Sequence, residues 1–396
     1  MANTLKFGNG EWYGKKDTIL AYNDENNNYK PLPFTFDRGS TATRVNKDGL
    51  IETVGTDEPR VDYLNNSKGA LLLEPSRTNL VTYSEDFNQW GKINVTVTSN
   101  SVISPDGTQN ADKLIATSGS SNKVINQVVS ANTYTASVFA KKGEFEGLFI
   151  GTGTTGAFFN LNTYSYRTNY QSAPTSYKIE KYNNGWYRYS VTFTISSTDS
   201  IYIGPNDNVS TNLAITGDGS KGIYIYGAQL EVGSYPTSII KTQGSAVTRS
   251  ADVCNNAGNS NVFNDSEGVL FADVNFLTLT GGDYFGLNDG SNNQRVLIQR
   301  STTNINIYIN NAVNLIGATS SLNNKIAVSY KANDYKLYLN GTKVATNTSS
   351  SVTPSGLNAF EFELGGGFGL YFYGKVKDVR YYNTALSDSE LQALTT

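Results

Sequence analysis

Gly227-Ala228-Gln229-Leu230-Glu231 and Tyr381-Tyr382-Asn383-Thr384-Ala385-Leu386-Ser387 punctuate this chain, and each closes a long run of short alternating stretches. Before the first lie Val124–Val129, Tyr134–Ala140 and Tyr187–Thr194; before the second lie Gly268–Phe276 and Asn304–Ile309. All run polar and apolar by turns, the period-two pattern of strands with one buried face. The chain therefore predicts an all-β protein with one short C-terminal helix. An N-terminal β-rich segment (1–80) is followed by two antiparallel β-sandwiches (81–250 and 251–396).

The turn chemistry agrees. Asp48-Gly49 and Asn340-Gly341 sit between β-branched or aromatic flanks, where such pairs favour tight hairpins. Asn183-Asn184-Gly185 supplies another tight turn. Pro31-Leu32-Pro33-Phe34 disfavours a helix and suits an extended edge or a docked strand. Ser387 is a good N-cap with Glu390 three residues on, ahead of Leu391 and Leu394. Residues 241–262, rich in Gly, Ser, Asn and Thr, read as a linker. No unit recurs in tandem, which excludes a propeller or solenoid.

Composition narrows the function. The 396 residues exceed one ordinary core and suit two or three domains. With 37 Gly, 26 Tyr and 18 Phe, the chain has turn formers and residues that fit half-buried pleated faces. A net charge of −3 without a basic run argues against nucleic acid as a partner. The lone Cys254 cannot form an internal disulfide and reads as an incidental linker thiol. Met1–Phe7 lacks a signal-peptide apolar core, and no segment is long enough to span a bilayer. Synthesis in a cytoplasm, release by lysis and no membrane insertion are the expectations.

Histidine is absent. That removes Ser-His-Asp and Cys-His catalysis, imidazole-bound zinc and the usual near-neutral base. A carboxylate-pair glycosidase stays chemically available. However, Glu361-Phe362-Glu363 and Asp388-Ser389-Glu390 do not match the E-x-D-x-x-E spacing of concanavalin-like hydrolases. Gly365–Gly369 lacks the Lys-Ser or Lys-Thr of a phosphate loop and reads as a close-packed turn. No cofactor is expected. Asp86, Asp112 and Glu231 are acids where a structural calcium could sit, but no loop has regular oxygen-ligand spacing, and no metal is assigned.

Several phrases carry a resemblance. Arg38–Val45, Pro59-Arg60-Val61-Asp62-Tyr63 and Leu71-Leu72-Leu73-Glu74-Pro75-Ser76-Arg77-Thr78-Asn79-Leu80 occur in the order seen in the N-terminal part of marine tailed-bacteriophage virion proteins. Tyr83–Trp90, Ala136–Lys141, Gly185–Arg188 and Ile223–Glu231, continuing through Gly233–Ser238 and Ala246–Asp252, resemble phage-type, carbohydrate-binding-module-like jelly rolls. Tyr373–Ser387 is similar to the closing strand of a laminin-G/concanavalin-like sandwich. The resemblance implies a fibre-type virion appendage. Residues 1–80 would attach it to other virion proteins, and the chain would form a homotrimer that adheres to host-surface glycans. Two readings stay beside it: a purely structural capsid or tail decoration protein without ligand, and a glycan depolymerase.

Sugar recognition needs flat aromatic faces with amide, carboxylate or guanidinium groups for the hydroxyls. Trp90, in a loop phrase, is one candidate. The others follow Gly281-Gly282-Asp283: Tyr284, Phe285, Asn288, Asp289 and Arg295. Trp186, leading a strand after a tight turn, reads as core.

Overall fold

The computed structural model describes residues 4–23 and 30–396. Residues 24–26 of the Leu20–Asn26 phrase therefore lie outside the described residues. The fold is all-β, and one α-helix appears among the described residues. Among the described residues no helix is long and apolar enough to cross a membrane.

The chain divides into two compact units, and the division expected at residue 80 is not the one observed. One unit comprises Met1–Thr41, Val54–Pro75 and Ser250–Thr396; the other comprises Ala42–Thr53 and Ser76–Arg249. Strand pairing explains the difference. Leu5–Gly8 lies antiparallel to Gly374–Tyr382, with Leu5 opposite Tyr381 and Gly8 opposite Asp378. Most of the N-terminal segment is thus built into the C-terminal sandwich, with Ala42–Thr53 joining the other unit, instead of forming a separate body.

In this first unit the larger sheet runs Val253–Asn255, Lys30–Asp37, Thr18–Asn23, Leu5–Gly8, Gly374–Tyr382, Glu267–Phe276, Asn323–Lys331, Tyr335–Leu339, Thr342–Asn347. A five-stranded sheet covers it: Val313–Ala318, Asn304–Ile309, Arg295–Arg300, Asp283–Asn288, Ala359–Glu361. Their inner faces share one core. Phe7 and Phe34 from the N-terminal strands meet Phe362, with Phe34 and Phe362 stacked at 5.6 Å. The prolines fall where backbone donors are not needed. Among the described residues Val253–Asn255 reaches only Thr35–Asp37 of that strand, so its Pro31–Pro33 half is paired on one side alone. At the Asn340-Gly341 turn both residues have positive φ, 49° and 82°, as a type I′ hairpin requires. Helix Asp388–Thr395 starts where expected: the Glu390 carboxylate accepts from the Ser387 N–H at 2.8 Å, and Leu391 is buried.

A buried ion cluster holds this unit's phrases together. Arg38 Nη1 donates to Asp252 Oδ1 at 3.0 Å, Arg60 Nη1 to Glu74 Oε2 at 2.7 Å, and Arg60 Nη2 to Asp252 Oδ2. All four side chains are buried. The Glu74 N–H also donates to Asp252, at 2.8 Å. The charged residues that gave the N-terminal phrases their resemblance are therefore spent on internal structure.

The second unit is a jelly-roll sandwich of two six-stranded sheets. One runs Gly91–Ile93, Val124–Val129, Asp199–Asn206, Gly147–Gly151, Thr155–Asn160, Ser165–Gln171. The other runs Val95–Val102, Ala111–Ala116, Gly222–Val232, Asn132–Lys142, Tyr187–Ile195, Ser176–Lys181. The opening phrase lies on a central strand of the latter. Gly227 there has φ 59° beside a register shift, and a Cβ would come within 2.4 Å of Ile239. The Asp48-Gly49 hairpin forms and belongs to this unit: the Ile51 N–H donates to the Pro105 carbonyl at 3.0 Å. Asn79 anchors the phrase that contains it, donating to the Ile240 carbonyl at 2.8 Å and accepting from the Leu230 N–H.

The linker expected over 241–262 is instead ordered structure. Val247–Arg249 pairs with Arg77–Asn79, and Val253–Asn255 with Thr35–Asp37. Thr242, Arg249, Asp252, Val262 and Phe263 are buried. Cys254 lies in the first unit's core, where burial pushes its thiol well up. Small polar residues made the segment look loose, yet Arg249, Cys254 and Val262 point inward.

Candidate functional site

The structure withdraws two of the expected sugar-contacting rings. Trp90 is 5% exposed, packs on Phe87 and donates its indole N–H to the Tyr83 carbonyl at 2.8 Å. Phe285 is fully buried among Phe360, Phe362 and Phe372. Strand alternation explains the second case: with Phe285 and Leu287 inward, Tyr284 is left on the outer face. Trp186 is core, as expected, and donates to the Ile103 carbonyl at 3.0 Å.

The remaining candidates converge on one hairpin but are largely occupied. Asn288 and Arg295 are register partners, and both are buried. Asn288 donates to Glu361 at 2.8 Å, while Asp289 accepts from the Ser291 N–H and hydroxyl. Arg295 lies 5.8 Å from the Tyr308 ring centre and donates to Asn311; its Nε and Nη1 meet no hydrogen-bond partner among the described residues. Tyr284 is half-buried, and its hydroxyl accepts from Gln299. At the strand's start, burial raises the Asp283 carboxyl to about 6. Gly365–Gly369 folds beside the hairpin tip and carries Phe368, 60% exposed.

A more coherent aromatic surface lies on the jelly roll. Ser165–Gln171 and Ser176–Lys181 are the edge strands of its two sheets, and tyrosines bridge them. Tyr166 stacks on Tyr177 with centroids 4.4 Å apart and planes 10° apart. Tyr164 stacks on Tyr187 at 3.9 Å and 12°. Phe159 and Tyr189 form the floor, 5.0 Å apart. Above that floor Tyr164 is 42% and Tyr177 50% exposed.

Each ring has a local cause. Tyr177, Ile179 and Lys181 alternate on one strand and face Val191, Tyr189 and Tyr187 across the ladder. Tyr164 sits in the turn before Ser165 with φ 55°, a left-handed conformation uncommon for so large a side chain. Such an outlier persists only where its surroundings hold it, and here the Tyr187 stack does so. Burial, then the neighbouring tyrosine, raises the phenols of Tyr166 and Tyr187. The Lys181 ammonium, exposed opposite Tyr187, makes no ion pair or hydrogen bond among the described residues and supplies a free donor. Sequence reading took Tyr187 only as a strand residue and missed the other three. The available signal was Tyr164-Ser165-Tyr166 followed by Tyr177, aromatic residues spaced among polar ones.

The acids considered for calcium have structural partners. Asp112 accepts from the Phe87 and Asn100 N–H groups, Asp86 from the Asn88 N–H, and Glu231 from the Thr237 N–H. Among the described residues no three His, Cys, Asp or Glu side chains cluster as a metal site.

Residues 259–392 match a protein-family model described as the concanavalin A-like lectin/glucanases superfamily. No curated protein sequence matches the chain. Among solved structures, the chain is similar to the Ruminococcus gnavus IT-sialidase CBM40 bound to α2,3-sialyllactose. That match has 16% identity and TM-score 0.31, over 36% of this chain and 94% of that one. The mouse laminin α1 chain, domains LG4-5, matches at 8% identity and TM-score 0.24, over 66% and 88%. Trypanosoma rangeli sialidase matches at 9% identity and TM-score 0.27, over 96% and 81%.

Proposed function

We propose that this protein is a non-enzymatic glycan-binding adhesin, with the tyrosine surface of the jelly roll as a sugar-contacting site. The observation that carries the reading is the pair of stacked tyrosines held open to solvent over an aromatic floor. A pyranose presents an apolar C–H face that lies flat on such a ring, and Lys181 can donate to a hydroxyl. The concanavalin A-like match over the other unit supports a carbohydrate-directed role.

The finer reading is a bacteriophage virion appendage, homotrimeric, displaying its sandwiches to host-surface glycans. The ordered N-terminal phrases support it by resemblance. Several weak sites on three copies would give firm attachment through avidity. Imaging of intact particles with a label on this chain tests the location, and sedimentation tests the trimer.

The binding test pairs Tyr164→Ala with Tyr177→Ala and measures retention on a panel of immobilised polysaccharides. Each ring should contribute about 1–3 kcal/mol, so the double variant should lose at least tenfold in affinity on the retained glycan. Unchanged retention, or no retention of the parent on any glycan, would sink this site. Polymer length should stay constant during incubation; shortening that one acid-to-amide substitution abolishes would establish the depolymerase reading.

A further inference from the structure

A second recess, in the other unit, has different chemistry. It encloses about 390 Å³ where the Asn9 turn, the Asn66–Gly69 turn, strands Glu267–Phe276 and Gly374–Tyr382 and the C-terminal helix meet. That volume is within the range of small-ligand sites. Its charged lining is Lys68, Asp273, Lys325, Lys377, Asp378 and Arg380, four cations against two carboxylates in a chain whose net charge is −3.

Backbone irregularity assembles the recess. Asp273 and Asp378 are register partners, and the next pair is Val274 with Val376, so Lys377 is an extra, bulged residue. Bulges of this kind redirect side chains and are frequent beside functional sites. Like charges placed directly opposite on a sheet are destabilising, yet this sheet holds two carboxylates there. Arg380 bonds Asp378 at 2.7 Å, and Lys377 lies 3.4 Å from Asp273. Lys68, exposed, donates to Asn9 Oδ1 at 2.9 Å and forms no ion pair among the described residues. Lys325 donates to the Thr396 carbonyl. Each ammonium has three donors, so Lys68 and Lys377 keep unused hydrogen-bonding capacity.

We propose that this recess binds an acidic sugar, a pyranose bearing a carboxylate. Lys68 and Lys377 take the carboxylate, and Asp273 and Asp378 accept from ring hydroxyls. The ligand class rests on the glycan-binding reading above, but the residues and the unit are different. A neutral sugar would give the Lys68 ammonium no anion, and a simple anion would leave unused the lone pairs that Lys377 and Arg380 do not fill on Asp273 and Asp378. The two-sign lining matches a ligand that carries both groups.

The test titrates glucuronate, and glucose as its uncharged counterpart, into the isotope-labelled full chain while following amide resonances. Glucuronate should shift Asn66, Lys68 and Lys377 saturably, and glucose at equal concentration should not. Lys68→Gln should weaken glucuronate about tenfold, and about 0.5 M salt should have a similar effect by screening. The Tyr164→Ala/Tyr177→Ala variant should bind glucuronate as the parent does. Absence of shifts, equal shifts with glucose, or a Lys68→Gln variant of parental affinity would overturn the proposal. Glucuronate uptake by a chain that no polysaccharide retains would overturn the adhesin reading and leave this site standing.

Discussion

Asp252 has both carboxylate oxygens bound to buried guanidiniums, one from Arg38 and one from Arg60. Removing one charge from such a cluster strands the others in a medium that solvates them poorly. Asp252→Asn should therefore cost about 3–5 kcal/mol by denaturant titration of the full chain. A loss below about 1 kcal/mol would show that water reaches the cluster. The same residues show what a sequence can reveal at this scale. Asn340-Gly341 was legible because its positive φ values are a local matter. Asp252 was read as linker because its partners lie more than a hundred residues upstream. Trp90 was read as an open ring because its loop phrase says nothing of the Tyr83 carbonyl that captures the indole. The stacked tyrosines stayed hidden for a related reason: Tyr164 meets Tyr187, and Tyr166 meets Tyr177, only when the two sheet edges come together.

Strands were legible from alternation, and their pairing was not. The period of Leu5-Lys6-Phe7 identifies a buried face but cannot name Gly374–Tyr382 as the partner. Hairpin neighbours such as Tyr335–Leu339 and Thr342–Asn347 announce themselves through the turn between them, whereas this pairing closes across the whole chain. The consequence is testable. A truncation beginning near Asn79 removes Leu5, Phe7, Ile19, Phe34 and Phe36 from the first unit's core. It also exposes the edge of Gly374–Tyr382, a ready template for aggregation. The truncated protein should lose that unit's cooperative unfolding transition and gain binding of a hydrophobic dye. A fully retained transition would mean that the N-terminal strands are ornamental, and attachment would become their main task.

The two units should differ as isolated fragments. Residues 76–249 contain both six-stranded sheets of the jelly roll without interruption and lack only the Ala42–Thr53 hairpin. Calorimetry of this fragment should show one cooperative transition. Residues 263–396, by contrast, lack the strands that flank Gly374–Tyr382 on one side and should not fold cooperatively alone. The opposite pattern would reverse the assignment of the N-terminal strands. At this scale the fold class was fully legible and the domain boundaries were not, because composition marks turns and linkers alike. The pairing of Leu5–Gly8 with Gly374–Tyr382 also sets an order of events. As the chain leaves the ribosome, the jelly roll can finish while the first strands are still waiting for the last. Contacts so distant in sequence slow folding, and a waiting apolar strand invites misassembly. The early-finished unit thus acts as a spacer in time, and pulse-labelling during synthesis should find it protease-resistant before the other.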